Sequence, residues 1–187
     1  IELHLTKRDL KRLIPNGGST RIAVISGDAH DALLREASGK ASHRLVLGCH
    51  KLGSTARPGA LLQGQVAAAR PGMAVSVLYT MVSKPMRNRH ARELKAEAAA
   101  NGFRLIEAGK IPLHGKFLAW DNDDLVVTSM NWASASSEVD FPDAEIGVHI
   151  ISNGIATTAL DQLITIFPDL EQEPSNLKSE ITDKVAS

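Results

Sequence analysis

The chain has 187 residues, of which 43% are hydrophobic, and this is enough for one domain with a full core. Its 21 Lys and Arg residues balance 21 Asp and Glu residues, so any phosphate recognition has to come from a local cluster of charge. A single cysteine, Cys49, excludes an internal disulfide framework, and no apolar run is long enough to cross a bilayer. We expect a soluble, cytoplasmic protein.

Apolar, β-branched segments alternate with stretches of helical period, and this pattern predicts a mixed β-sheet flanked by helices, an α/β protein. Strands are predicted at 21–27, 43–52, 73–80, 103–109 and 145–151, and helices at 28–41, 59–70, 86–100 and 156–167. We divide the chain into a helical lead-in (1–17), which could come from a preceding domain, one domain (18–170) and a polar tail (171–187).

The segment LHGKFLAWDNDDLVVTSMN, residues 113–131, concentrates polar side chains that can act on phosphate. It reads as a hairpin whose turn is Asp-Asn-Asp-Asp, residues 121–124. If the two ends of that turn face each other, Lys116 lies opposite Ser129 and His114 lies opposite Asn131. The four side chains would then converge on one patch.

Such a patch suits phosphoryl chemistry. Lys116 supplies a fixed positive charge, Ser129 and Asn131 supply neutral donors, and the imidazole of His114 can attack phosphorus. Glu145, on the next strand, could accept a hydrogen bond from His114 and stabilise positive charge on its ring. The plainer alternative is a hairpin whose polar face meets only water. The sequence has no zinc-binding motif, and we expect neither a metal nor a cofactor.

The run HGKFLAWDNDDLVVTSMN resembles the signature of the phospholipase D superfamily: His-x-Lys, four residues, Asp, six residues, then Gly-Ser-x-Asn. Thr128 stands where the glycine is usual, and Asp121 is the aspartate of the motif. The resemblance covers residues 18–168 and implies a phospholipase D/nuclease-like fold. For Thr128 we expect a change in packing, and for Asp121 a role in the structure of the hairpin and an interface.

The resemblance also implies a mechanism. Members of the superfamily cleave or exchange phosphodiesters in two steps through a covalent phosphohistidine, without a metal. Carried over by position, His114 is the nucleophile or its partner general acid. Lys116 and Asn131 hold the non-bridging oxygens of the phosphate, and Ser129 assists. The acidic residue that orients the histidine is Glu145, and the competing choices are Asp143 and Glu138.

One motif supplies half of such a site, and no histidine besides His114 sits two residues ahead of a lysine. The second motif therefore comes from a homodimer partner or from a missing half of a longer chain. Because the chain begins at Ile1 rather than Met, we favour the missing half.

The sequence leaves the substrate open. We favour a nuclease or another nucleic-acid-processing enzyme, because no membrane-docking surface is obvious. The alternatives are a phospholipase D or a phosphatidyltransferase similar to cardiolipin synthase, and a non-catalytic module for dimerisation or nucleic-acid binding.

Three other features have structural interpretations that we prefer. Trp132 could bind substrate by stacking, but a packing role is favoured. His50 is interpreted as a loop residue without a catalytic role. A basic stretch at 83–95 could meet a polyanion, but the preferred interpretation is a solvated helix face.

Overall fold

The structure is a computed structural model that describes residues 19–27, 29–50, 73–80, 92, 95, 96, 98–100, 102–109, 111–132 and 144–171. In chain order its elements are β1 (Arg21–Ser26), α1 (Ala29–Lys40), β2 (Arg44–Cys49), β3 (Ala74–Tyr79), β4 (Phe103–Glu107), β5 (Phe117–Trp120), β6 (Asp124–Thr128), β7 (Ile146–Ile151), α2 (Ile155–Ile166) and a 3₁₀ turn (Pro168–Leu170). No helix among these residues is long and apolar enough to cross a membrane.

The predicted α/β class, a mixed sheet flanked by helices, is confirmed. Each strand and helix predicted within the described residues forms, with ends that move by a few residues. Where residues of the predicted helix at 86–100 are described, they are helical. The predicted helix at 59–70, the lead-in (1–17) and nearly all of the tail lie outside the described residues. The domain boundaries stay predictions.

The described strands form one seven-stranded sheet in the order β1-β7-β6-β5-β2-β3-β4. β2, β3 and β4 run parallel, whereas β5 is antiparallel to both β2 and β6, and β7 is antiparallel to β6 and β1. The ends of β2 and β6 therefore lie at the same edge of the sheet as the starts of β5 and β7. We call this the upper edge; it carries Cys49, Phe117, Thr128 and Ile146. The opposite edge is the lower edge.

Helices cover both faces of the sheet. The strands β2 and β3 are nearly all apolar because both of their faces are buried. On one face α1 packs Leu33, Leu34 and Ala37 into a core cluster, and on the other α2 packs Ala156 and Leu160 into a second cluster. Beside the strand ends of the upper edge, His114 and Ser129 are exposed.

A glycine in β2 shapes the start of β5. Gly48 pairs with Phe117, and a Cβ at position 48 would lie 2.1 Å from Cε1 of the Phe117 ring. A side chain at that position would displace the ring, so the glycine lets Phe117 lie directly on the backbone of β2. This contact anchors the residue that follows Lys116.

The predicted register of the β5–β6 hairpin, with Asp121 facing Asp124, is wrong. Trp120 pairs with Asp124, and the turn comprises residues 121–123. Asp121 leaves the ladder because its backbone has a φ of 49° and its N–H bonds the carbonyl oxygen of Arg44 on β2 at 3.0 Å. Three residues, 121–123, therefore separate the last paired residues of the hairpin, whereas the predicted pair of Asp121 with Asp124 left two, 122 and 123.

The shift by one residue changes the partners at the upper edge. Thr128 donates its backbone N–H to the carbonyl oxygen of Lys116 at 3.0 Å, so Lys116 lies opposite Thr128 and not opposite Ser129. His114 and Lys116 also precede β5 instead of lying within it. The predicted ladder pair of His114 with Asn131 does not form, because the segment before β5 is not strand.

Candidate active site

His114 and Asn131 meet at the upper edge on either side of His50. The exposed ring of His114 has its centroid 4.5 Å from that of His50, with the two planes at 70°. His50 directly follows β2, and its backbone N–H donates to Oδ1 of Asn131 at 3.1 Å. One residue thus contacts both halves of the motif, although the sequence predicted no catalytic role for it.

The backbone before His114 is held on both sides. The N–H of Leu113 donates to Oγ1 of the buried Thr80 at 2.8 Å, and its carbonyl oxygen lies 3.0 Å from Nδ1 of His50. Because a carbonyl oxygen only accepts, the hydrogen of this second bond is on Nδ1. Leu113 itself is buried. The position of His114 is therefore set by residues at the ends of β2 and β3.

Ser129 and Glu145 form a second cluster at the same edge. The hydroxyl of Ser129 donates to the carboxylate of Glu145 and accepts the N–H of Ile146 at 3.0 Å. The N–H of Ser129 bonds the carbonyl oxygen of Ile146, also at 3.0 Å. This places the carboxylate of Glu145 beside the motif, while its role in orienting His114 stays a prediction. The competing candidates lie outside the described residues: Asp143 and Glu138.

Lys116 completes the set at the upper edge. It is half-buried and lies across the hairpin from Thr128, one position before Ser129. Thr128, at the position of the usual glycine, is buried, and its hydroxyl lies 2.7 Å from Nε2 of His30. The upper edge therefore carries His114, Lys116, Ser129, Asn131 and Glu145, and contacts join His114 to Asn131 through His50 and Ser129 to Glu145.

Trp132 lies in the core. It keeps 3% of its surface exposed, belongs to the cluster that α1 covers, and makes a T-shaped contact with the ring of His30 at a centroid distance of 5.7 Å. Stacking on a substrate would need one face of the indole to be open. The structure thus favours the packing role over the substrate-binding role.

Asp121 lies at the lower edge, separated from His114 by the length of β5. Its carboxylate accepts backbone N–H groups at the start of β2, from Ser42 at 3.0 Å, His43 at 2.8 Å and Arg44 at 3.3 Å. Burial acts to raise the pKa of Asp121, but these hydrogen bonds outweigh it and hold the pKa below its usual 3.8. The carboxylate joins the turn to β2.

Three residues near the motif carried no local signal in the sequence: His30, His50 and Thr80. Each meets its partner across a large separation along the chain, so no spacing rule could have found it. Within the described residues no three His, Cys, Asp or Glu side chains are grouped as metal ligands.

The fold identifies related structures. Comparison with protein-family models and with curated proteins gives no match. Nuc, a phospholipase D family member from Salmonella typhimurium, superposes with a TM-score of 0.61 at 19% identity, over 80% of this chain and 95% of Nuc. The chain has the phospholipase D fold.

Two further solved structures share this phospholipase D fold. NucT from Helicobacter pylori has a TM-score of 0.55 at 13% identity, over 79% of this chain and 96% of NucT. Phosphatidylserine synthase from Haemophilus influenzae also has a TM-score of 0.55, at 12% identity, over 92% of this chain and 47% of the synthase. The phospholipase D-like fold implied by the motif in residues 114–131 is thereby confirmed.

Proposed function

We propose that the protein is a metal-independent phosphodiesterase that acts through a phosphohistidine intermediate. One observation carries the proposal: within a phospholipase D fold, the His-x-Lys and Ser-x-Asn runs meet at the upper edge, where His50 contacts both His114 and Asn131. If the polar face of the hairpin met only water, contacts of His114 and Asn131 with a residue at the end of β2 would not be expected.

In the first step an imidazole nitrogen of His114 attacks phosphorus. An N–P bond forms, the P–O bond to the leaving group breaks, and a second imidazole protonates the departing oxygen. Lys116 and the amide of Asn131 neutralise and hold the non-bridging oxygens. In the second step water attacks phosphorus, the N–P bond breaks, and the second imidazole takes the proton of the water.

Glu145 and Ser129 support the nucleophile. The carboxylate of Glu145 orients the ring of His114 and stabilises the positive charge that the ring carries once the N–P bond forms. Ser129 assists by holding that carboxylate, to which it donates its hydroxyl hydrogen.

The second imidazole belongs to a second motif, supplied by another copy of the chain or by a missing half. An exposed apolar face next to the site supports a partner here. It consists of side chains on β1, β6 and β7 that point to one side of the sheet. Its members are Ile22, Val24, Val127 and Ile146, whose exposed fractions are 67%, 71%, 52% and 61%.

Nucleic acid is the substrate class that we favour. The exposed ring of His114 is open to a water-soluble diester, and we assign the apolar face next to the site to a partner rather than to lipid docking. Phospholipid hydrolysis or phosphatidyl transfer is the second candidate, because phosphatidylserine synthase from Haemophilus influenzae shares the fold.

Turnover of bis-p-nitrophenyl phosphate tests the reaction class. We expect His114→Ala to abolish turnover and Lys116→Ala to lower kcat by roughly 10²–10³-fold, because the charge of the phosphate is then no longer neutralised. The matched controls are His43→Ala and Lys40→Ala, at exposed positions outside the upper edge, and they should keep the wild-type rate. EDTA should leave the rate unchanged. Full activity in His114→Ala, or complete loss in EDTA, would contradict the mechanism.

Two parallel assays separate the substrates. A DNA cleavage gel and a phosphatidylcholine release assay are run with the same preparation. If the substrate is nucleic acid, DNA should be cleaved and phosphatidylcholine should not. Retention of DNA on a filter without turnover of either substrate would instead support a non-catalytic binding module.

A further inference from the structure

A fully buried histidine lies beneath residues 128–131, which we call the motif turn. His30, on α1, exposes none of its surface. Its Nδ1 lies 3.0 Å from the carbonyl oxygen of Gly27, and its Nε2 lies 2.7 Å from Oγ1 of Thr128. The carbonyl oxygen only accepts, so Nδ1 carries the hydrogen. In the neutral ring, Nε2 then accepts the hydrogen of the Thr128 hydroxyl.

The hydroxyl of Thr128 connects the motif turn to its surroundings. It accepts the N–H of Met130 at 3.0 Å and lies 3.1 Å from the carbonyl oxygen of Ile146. Its single hydrogen cannot serve both Nε2 of His30 and that carbonyl oxygen, and the contact with Nε2 is the shorter one. The hydroxyl of the residue that stands in place of glycine is therefore bonded to His30 in the core and to the backbone of Met130, on the far side of Ser129.

The sheet has room for this threonine because a glycine faces it. Thr128 pairs with Gly147 on β7, and a Cβ at position 147 would lie 2.8 Å from Cβ of Thr128. Real Cβ atoms do not approach so closely, so a side chain at position 147 would push Thr128 away from His30. The two positions are complementary.

His30 also reaches the other parts of the site. Gly27, whose carbonyl oxygen binds Nδ1, donates its N–H to the carbonyl oxygen of Glu145 at 3.4 Å. The ring of Trp132, next to Asn131, contacts His30 edge-on. The buried imidazole is thus linked to the motif turn, to the residue after it and to the start of β7.

We propose that His30 and Thr128 form a positioning pair that fixes the motif turn, and thereby aims Asn131 at the phosphate and holds Ser129 against Glu145. The proposal rests on the proposed phosphodiesterase function. Neither residue touches the substrate. A glycine at position 128 would leave the turn free to adopt several conformations, whereas the hydrogen-bonded threonine selects one.

Removal of the hydroxyl without a change of shape tests the pair. Thr128→Val should lower kcat for bis-p-nitrophenyl phosphate by about 10- to 100-fold, because small displacements of positioning groups have costs of this size. KM should change by less than about threefold, because the displaced groups weaken binding of the transition state more than binding of the substrate. Thr128→Ser retains the hydroxyl and should restore kcat to within about threefold of wild type. The control is Thr158→Val on α2, which removes a threonine hydroxyl that donates to the carbonyl oxygen of Gly154 and should leave kcat unchanged.

The nitrogen chemical shifts of the His30 ring give a second measurement that does not depend on activity. We expect the neutral ring to carry its hydrogen on Nδ1 and to leave Nε2 unprotonated. The chemical shift of Nε2 should differ from its wild-type value less in Thr128→Ser than in Thr128→Val. A neutral ring protonated on Nε2 would overturn the proposal even if Thr128→Val failed to fold. Wild-type kcat in a folded Thr128→Val protein would overturn it as well. If wild type and His114→Ala are equally inactive, the proposed function fails instead.

Discussion

His50 shows how a single residue can organise the site. Its ring contacts His114, its Nδ1 holds the carbonyl oxygen of Leu113, and its backbone N–H holds Asn131. Two of these contacts belong to the side chain, and the third belongs to the backbone and survives any substitution. The side chain therefore acts mainly on the His114 half of the motif.

We expect His50→Ala to lower kcat by about 10- to 100-fold, because the segment that carries His114 loses one of its two anchors. His50→Asn, whose side-chain amide can donate to the same carbonyl oxygen, should be less impaired. Steady-state kinetics with bis-p-nitrophenyl phosphate measure both variants. Equal kcat values for His50→Ala and wild type would show that Thr80 alone positions the segment.

At the scale of elements, the turn at residues 121–123 holds three parts of the fold together. Asp121 binds the start of β2. The carbonyl oxygen of Asn122 accepts backbone N–H groups at the start of α2, and the carboxylate of Asp123 accepts the N–H of Gly154 just before that helix. The aspartate of the motif thus fixes the hairpin that carries the site, at a distance from the chemistry.

The stability contributed by Asp121 should depend on pH. Its folded-state pKa lies below the ordinary value of 3.8, so the contribution is complete above that value and is lost as the pH falls through the folded-state pKa. Asp121→Asn tolerates the positive φ but lacks the charge, and at neutral pH it should lower the free energy of unfolding by about 1–3 kcal/mol.

Urea unfolding at a series of pH values measures this difference. The gap between Asp121→Asn and wild type should close below pH 3.8. Asp161→Asn, at an exposed position on α2, is the control and should change the free energy of unfolding by less than about 0.5 kcal/mol. A gap that stayed constant down to acid pH would contradict the role of the charged hydrogen bonds.

At the scale of the whole molecule, the exposed apolar face of β1, β6 and β7 adjoins the upper edge. Ile146 belongs to this face and also directly follows Glu145. A partner that covered the face would therefore come close to the site for which the proposed mechanism requires a second motif. This makes the oligomeric state a test of where that motif comes from.

We expect the wild-type chain to have twice its own mass in solution if a second copy supplies the motif. Val24→Lys places a charge in the middle of the apolar face, so it should produce single chains and remove turnover of bis-p-nitrophenyl phosphate together. Ile166→Lys, at an exposed apolar position on α2, should change neither property. Light scattering after size-exclusion chromatography measures the mass. A wild-type single chain would assign the second motif to another part of a longer protein.

Much of this protein could be predicted from local pattern. The helices and strands follow hydrophobic periodicity, and the residues of the motif follow from their spacing in a single hairpin. The register of that hairpin could not be predicted, because the backbone conformation of Asp121 depends on its hydrogen bonds to the start of β2, which lies far away along the chain.

The sequence by itself determined the class of fold and the chemical groups at residues 114–131, since both depend on neighbours along the chain. Only the tertiary structure decided that His50 and Thr80 anchor the segment of His114, and that His30 supports Thr128 from within the core. The physical reason is that these contacts join the ends of separate strands and a helix. Their geometry exists only after the sheet has brought those ends to one edge.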